Sequence, residues 1–433
     1  MSQMNTKKHA LSSIGAIQAI ESGLRCSVSI IFRLLIGYLA GLPAIALSVN
    51  AVISMGLGLA LELPAGVIAD NFGTVICVRL GYLLQAFASI LLLVAILLWP
   101  YYPIVMWTGI ILEGIFDAFG NALLSGAREV VYKKIITRAC HDDNLEETVR
   151  LEREFLVLSE SYGRFFLLAF PSVLLSLTVA LNYFWKIGHL TLIPISFSWI
   201  YLAVKTQRLA KQFEVTDSII TSGSFSLLMF LRNTGNALRL LPHEAKSAAA
   251  IFITFSFLFS TVHGYLVISL LHQDLPWLKE NLWYSVVIVN LAFIGGRLMR
   301  SYVLPWLMKK IGNSKVVLLG SMLVFALGIA FFLLFKYSPT PIFYCILLIF
   351  PIAFDNAIGF TSRPSFGILV SAAPKEVAAS VLSAISAAPP FLGALLALWL
   401  TSTGKGYPSV GEIIIILATG STIGIYFSRK ICR

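Results

Sequence analysis

The chain has 433 residues, of which 58% are hydrophobic and only 12% are charged, with a formal net charge of +11. A soluble globular chain carries about 25% charged residues, so this composition excludes an ordinary soluble domain. The excess of positive charge invites a nucleic-acid reading, but basic loops on the cytoplasmic side of a membrane account for it better.

The apolar residues come in runs of about twenty, the length that crosses roughly 30 Å of hydrocarbon as a helix. A barrel would need short alternating segments, whereas runs such as 90–98 and 413–417 are continuous. Backbone groups in lipid must be paired internally, so each run is read as a helix. The polar start, Met1 to His9, leads into the first span without a small-residue cleavage site. In chain order, six spans are predicted near 16–40, 47–69, 76–98, 104–126, 155–178 and 187–204. Six more follow near 248–271, 283–304, 315–335, 341–362, 377–401 and 410–428. Between the sixes lies a soluble stretch with an amphipathic segment, 225–241, expected to rest on the membrane surface.

An even number of crossings puts both termini on one side. Lys7, Lys8, Arg128, Lys133, Lys134, Arg138, Lys309, Lys310, Lys315, Arg429 and Lys430 then share a face, against Lys186, Lys279, Lys336 and Lys405 on the other. That asymmetry makes the termini cytoplasmic. The opposite face carries the aromatic and proline-rich turn Trp99-Pro100-Tyr101-Tyr102-Pro103. The five cysteines form no CxxC pair and no metal-ligand spacing, so no metal or other cofactor is implied. HExxH, P-loop and GxSxG motifs are also missing from the sequence, which argues against an enzyme and against ATP-driven pumping.

The two sets of six echo each other. Gly73 and Gly81 open the third span, Gly312 and Gly320 open the ninth, and an offset of 239 carries one pair onto the other. Asp117 and Asp355 stand at an offset of 238. Internal symmetry of this kind marks transporters built from two repeats with a site between them.

After the second span the chain reads Glu62-Leu63-Pro64-Ala65-Gly66-Val67-Ile68-Ala69-Asp70-Asn71-Phe72-Gly73. This resembles the Gly-x-x-x-Asp-x-x-Gly loop signature of the major facilitator superfamily, in its bacterial form. Glu62, Gly66, Asp70 and Gly73 are the matching positions, and the resemblance implies a cytoplasmic latch between the second and third helices. The basic residues usual after the aspartate and the second glycine are replaced by Asn71, Thr74 and Val75. Leu124-Ser125-Gly126-Ala127-Arg128-Glu129 resembles the exit of the family's fourth helix, and Ala378-Ala379-Ser380-Val381-Leu382-Ser383 the start of its eleventh. The implied fold is an all-α integral membrane protein with twelve transmembrane helices in two six-helix bundles. Residues 1–204 form the first bundle, 205–247 the cytoplasmic linker with its surface helix, and 248–433 the second bundle.

Ionisable groups within the spans are the candidate working residues. Each costs about 2.5–3.5 kcal/mol at a bilayer centre and is kept only against water, a ligand or another charge. Glu113 and Asp117 are four apart on one helix face, where like charges hold at least one proton more tightly. Arg33 lies about 12 Å inside the first span at 1.5 Å per residue and needs an anion. Asp355 sits beside Asn356 in the tenth span, and His263 in the seventh titrates near neutral pH in water. Each has a purely structural alternative, an internal ion pair or a packing role. Glu21 and Arg25, four apart near the end of the first span, are read as structural.

The expectation is a secondary active transporter working by alternating access in the bacterial inner membrane as a monomer. It moves a small polar or amphiphilic solute with proton coupling. Exchange, as in an exporter, is favoured slightly over import of a nutrient, amino acid or metal-chelating siderophore. A passive facilitator and a non-transporting receptor remain as alternatives of another class. The partners implied are the solute, protons and the lipid bilayer, with no nucleic acid.

Overall fold

The structure, a computed structural model, describes residues 9–10, 12–17, 20–21, 24, 36–37, 40–99, 101–140, 174, 177–178, 180–182, 184–215, 242–272, 303–337, 353, 357–362, 364–365, 368–369, 389, 391–396, 398–399, 402 and 410–431. Among these residues there is no strand. The long helices are α1 (Ala44–Phe72), α2 (Thr74–Leu98), α3 (Pro103–Cys140), α4 (Leu192–Gln212), α5 (His243–His272), α6 (Asn313–Tyr337) and α7 (Val410–Ile431). A short 3-10 turn, Gly188–Thr191, leads into α4.

These helices coincide with the second, third, fourth, sixth, seventh, ninth and twelfth predicted spans. The remaining five spans, and the segment 225–241, fall wholly or partly outside the described residues. Three described helical stretches, Thr74–Leu98, Pro103–Tyr132 and Asn313–Ala330, are long and apolar enough to cross a membrane. One difference is in length: α3 runs to Cys140, well beyond the predicted end at 126. Hydropathy falls at Arg128, but residues 127–140 contain neither glycine nor proline, so nothing in the backbone stops the helix.

The chain divides into two compact units. The first comprises Met1–Phe32 and Gly56–Phe225, and the second Arg33–Met55 and Ser226–Arg433. The boundary between Phe225 and Ser226 falls inside the stretch 205–247.

In the first unit α2 and α3 pack closely because small residues meet at their seam. A Cβ placed on Gly81 would lie 2.7 Å from Leu124 Cγ and 3.0 Å from the Gly120 carbonyl oxygen. One placed on Gly109 would lie 2.9 Å from Ala95 Cβ. Helices in lipid associate through such close van der Waals approach. Away from the seam, Ile76, Leu80, Leu83, Phe87, Ile90, Val94 and Leu97 form an exposed apolar stripe along α2, as lipid contact requires. Gly81→Val forces the two backbones apart, at a cost of about 3 kcal/mol. The expected result is a lowered thermal midpoint of the detergent-solubilised protein, read by the loss of monodisperse material on heating.

The second unit repeats this construction. An offset of 239 residues carries both ends of α2 onto both ends of α6, and each helix has 25 residues. Each is preceded by a glycine with positive φ, Gly73 at 97° and Gly312 at 84°. An L side chain rarely adopts that conformation. The first-turn hydrogen bonds match as well, from Cys77 N to Gly73 O at 3.1 Å and from Val316 N to Gly312 O at 3.2 Å. Gly320, the counterpart of Gly81, sits against residues 360–361 of the tenth span, where an added Cβ would lie 3.0 Å from Phe360 Cβ. α7 completes the unit, with Ser428 hydrogen-bonded to Ser321 at 3.1 Å and Gly420 seated against Leu258 of α5.

Candidate functional site

On α3, Met106, Ile110, Glu113, Asp117, Gly120, Leu124, Ala127 and Val131 recur at alternating spacings of four and three, and all are buried. That period defines the face a helix turns toward its neighbours. Ile104, Ile111, Leu112, Phe119 and Val130 are exposed on its other sides. Glu113 and Asp117, at 1% and 4% exposure, therefore lie in the protein interior and not toward the acyl chains.

Asp117 is held from the next turn of its own helix and from α2. Its Oδ1 accepts from Asn121 Nδ2 at 3.1 Å. Its backbone carbonyl accepts from Gln85 Nε2 of α2 at 3.0 Å. Gln85 can reach it because Gly120 leaves room; a Cβ there would stand 2.8 Å from Gln85 Nε2.

The other predicted residues are placed less fully. Arg33 and Asp355 lie outside the described residues. His263 lies within α5, but its side chain is outside them. Glu62, Gly66 and Asp70 fall in the last turns of α1, again with side chains not described. Gly73 alone separates α1 from α2 and is buried.

A second polar cluster, unanticipated from the sequence, occupies the first unit. Glu21, at 1% exposure, is paired with Arg128 of α3, with Nη1 to Oε1 at 2.5 Å. Its other oxygen accepts from Tyr82 Oη of α2 at 2.9 Å. Tyr82 Oη lies 3.2 Å from Tyr132 Oη of α3. On its far side Tyr82 stacks on Trp199 of α4, with ring centroids 5.8 Å apart. Nearby, Lys134 donates to Thr74 Oγ1 at 3.3 Å.

Glu21 therefore has a long-range partner, whereas the sequence offered Arg25 at helical spacing; Arg25 itself is outside the described residues. In the sequence Arg128 reads as a cation of the cytoplasmic face and as part of the fourth-helix exit, with no partner assigned. The available signal was that Glu21, just inside the first span, and Arg128, just past the end of the fourth, lie at the same predicted membrane face with opposite charge.

No protein-family model matches the chain, and no curated protein sequence matches it. Solved structures do. A nucleoside transporter, NupG, aligns at 13% identity over 98% of this chain and 98% of its own, with a TM-score of 0.63. A POT family transporter in complex with 5-aminolevulinic acid aligns at 15% identity, over 97% and 95%, with a TM-score of 0.66. The Escherichia coli fucose:proton symporter FucP aligns at 13% identity, over 99% and 100%, with a TM-score of 0.54.

Proposed function

We infer that this chain, a multi-pass membrane protein with the major facilitator fold, is a secondary active transporter working by alternating access. It moves a small polar or amphiphilic solute and couples that movement to protons. The observation that carries the reading is the burial of Glu113 and Asp117 in the inward seam of an apolar helix. A fold kept only for packing has no use for two carboxylates one turn apart at that depth.

Glu113, Asp117 and Asp355 are the proposed proton carriers, Arg33 the anion partner, and His263 a further cavity residue. Glu62, Gly66, Asp70 and Gly73 form the proposed latch. The two bundles are residues 1–204 and 248–433, joined by the linker 205–247. The reading puts it in the bacterial inner membrane as a monomer, and the distribution of basic residues supports cytoplasmic termini. Solute–proton exchange remains the first reading of direction. Import by symport is the second, favoured by the likeness to a fucose:proton symporter.

The test is transport by proteoliposomes under an imposed pH gradient, with nucleosides, amino acids, sugars and amphiphilic drugs as probes. The expected result is accumulation of one probe class against its concentration gradient, collapsing when the pH gradient is dissipated. Equilibration without accumulation would make the protein a passive facilitator. Saturable binding without flux would make it a receptor.

A further inference from the structure

Cations gather at one end of the second unit. Residues 303–311 are helical and pack through Leu304 on Val316, at the start of α6. They carry Lys309 and Lys310, and Lys315 follows in the first turn of α6. Ser428 of α7 meets Ser321 of α6, and Arg429 and Lys430 come directly after it. Along the helix axes, Lys430 lies about 3 Å and Lys315 about 9 Å from that contact, at 1.5 Å per residue. The described carboxylates of this unit are Glu244, two residues from Lys246 near the start of α5, and Glu412, in the first turn of α7. Glu412 is about 27 Å along α7 from Lys430.

The joint between the helices does not itself require this charge. The offset of 239 that carries α2 onto α6 carries Val67, Asp70, Asn71 and Ile76 onto Trp306, Lys309, Lys310 and Lys315. The same glycine joint thus stands in the first unit without a cation at any of these four places.

The lysines also sit at the ends of lipid-facing stripes. On α6, Lys315, Leu319 and Met322 are spaced by four and three and are all exposed, in a stretch apolar enough to cross a membrane. On α7, Ile423 and Tyr426 are exposed and Lys430 follows, at spacings of three and four. Each stripe ends in an ammonium where hydrocarbon gives way to headgroups. Trp306 and Tyr426, 58% and 56% exposed, are rings of the kind that settle in that layer. Lys310 Nζ stands 4.9 Å from the centre of the Trp306 ring, and Lys430 Nζ 4.6 Å from that of Tyr426. A ring face steadies an ammonium from one side. The other side of the ammonium offers donors and no acceptor, which suits an anion.

We propose that Lys310, Lys315 and Lys430, framed by Trp306 and Tyr426, hold the headgroup of an anionic phospholipid at this end of the second unit. The lysines donate to the phosphate oxygens, the two rings lie at the level of the glycerol backbone, and the acyl chains run along the stripes of α6 and α7. Charge complementarity selects the occupant. A basic cluster beside a membrane helix attracts anionic headgroups, whereas a zwitterionic headgroup brings a cation of its own to the lysines. The inference requires the chain to be embedded in lipid; it does not depend on whether the chain moves a solute.

The test is native mass spectrometry of the full chain released from detergent micelles and titrated with phosphatidylglycerol or phosphatidylcholine of the same acyl chains. The wild type is expected to retain phosphatidylglycerol in preference. Each lysine at an anionic headgroup contributes about fivefold in affinity, so Lys310→Gln, Lys315→Gln and Lys430→Gln combined are expected to weaken phosphatidylglycerol binding at least about tenfold. Binding of phosphatidylcholine is expected to stay as it was. Trp306→Leu with Tyr426→Leu keeps every charge and is expected to weaken phosphatidylglycerol binding about threefold. The control is Lys205→Gln, Arg208→Gln and Lys211→Gln on α4 of the first unit, which removes the same charge and is expected to change binding less than about twofold. The side chains altered in the second unit are exposed or half-buried, so these variants are expected to elute as the wild type does. Should the triple variant elute aberrantly, Lys310→Gln alone reads the same direction at about fivefold. Equal losses in the two triple variants would overturn the proposal, because net charge alone would then explain the binding. Equal retention of the two lipids by the wild type would also overturn it. Displacement of the lipid by millimolar glycerol phosphate would assign the site to a soluble phosphate compound and overturn the lipid reading. Proton-driven flux without lipid preference removes this site and leaves the transporter reading, and lipid preference without flux does the opposite.

Discussion

Asp117→Asn is expected to reduce proton-driven accumulation to the level of protein-free liposomes while leaving the protein folded. The substitution is nearly isosteric, and its hydrogen bonds survive. Asn121 donates to Oδ1, which an amide retains, and Gln85 donates to the backbone carbonyl, which the change does not touch. What disappears is the ability to take up and release a proton. Glu113→Gln, one turn earlier in the same buried seam, relieves the same like-charge pair from the other side. It is expected to leave transport running with an altered pH dependence, because Asp117 then titrates without a like-charged neighbour. The measurement is uptake of the solute found in the proteoliposome screen, with and without a pH gradient, alongside the elution profile of each variant. Full accumulation with an unchanged pH profile in Asp117→Asn would remove Asp117 from the coupling mechanism.

Arg128→Met is expected to lower stability about as much as Gly81→Val, for an electrostatic reason. It leaves the Glu21 carboxylate, at 1% exposure, without its cation. Breaking a buried ion pair from one side costs about 3–5 kcal/mol. Arg128 retains 22% exposure in its side chain, so the lower end, about 3 kcal/mol, applies. Combining it with Glu21→Leu removes the stranded charge and is expected to recover most of the loss, much as the neutral contact at Ser321 serves the second unit. Thermal midpoints of the two single variants and the double variant, compared as a cycle, give the coupling between the two residues. Additive losses in the double variant would mean that the pair has no interaction of its own.

Much of the helical framework is legible in the sequence, because a membrane helix announces itself by a run of apolar residues. The third span was predicted at 76–98 and α2 is Thr74–Leu98; the ninth was predicted at 315–335 and α6 is Asn313–Tyr337. The glycine offset was readable for a physical reason too, since Gly73 and Gly312 occupy a backbone conformation that other residues resist. Glu113 and Asp117 stood out because charge in an apolar run is costly. The Glu21–Arg128 pair did not, because its members are separated by 107 residues and only the folded chain brings them together. Sequence spacing offers Arg25 as a near partner for Glu21, and the fold adds a distant one, Arg128. The aromatic lid of Trp199 over Tyr82 was hidden for the same reason, since either ring alone reads as ordinary core.

α2 and α6 have kept their lengths and their glycine joints in step, with no net insertion or deletion between the two copies. Their side chains have parted company at Tyr82 and Ser321. The first copy sets a phenol against an ion pair there, and the second a neutral hydroxyl contact. A chimaera with the second half in place of the first would reproduce the joints and the helix lengths. It would lack the contact between Glu21 and Arg128 that ties the first predicted span to α3.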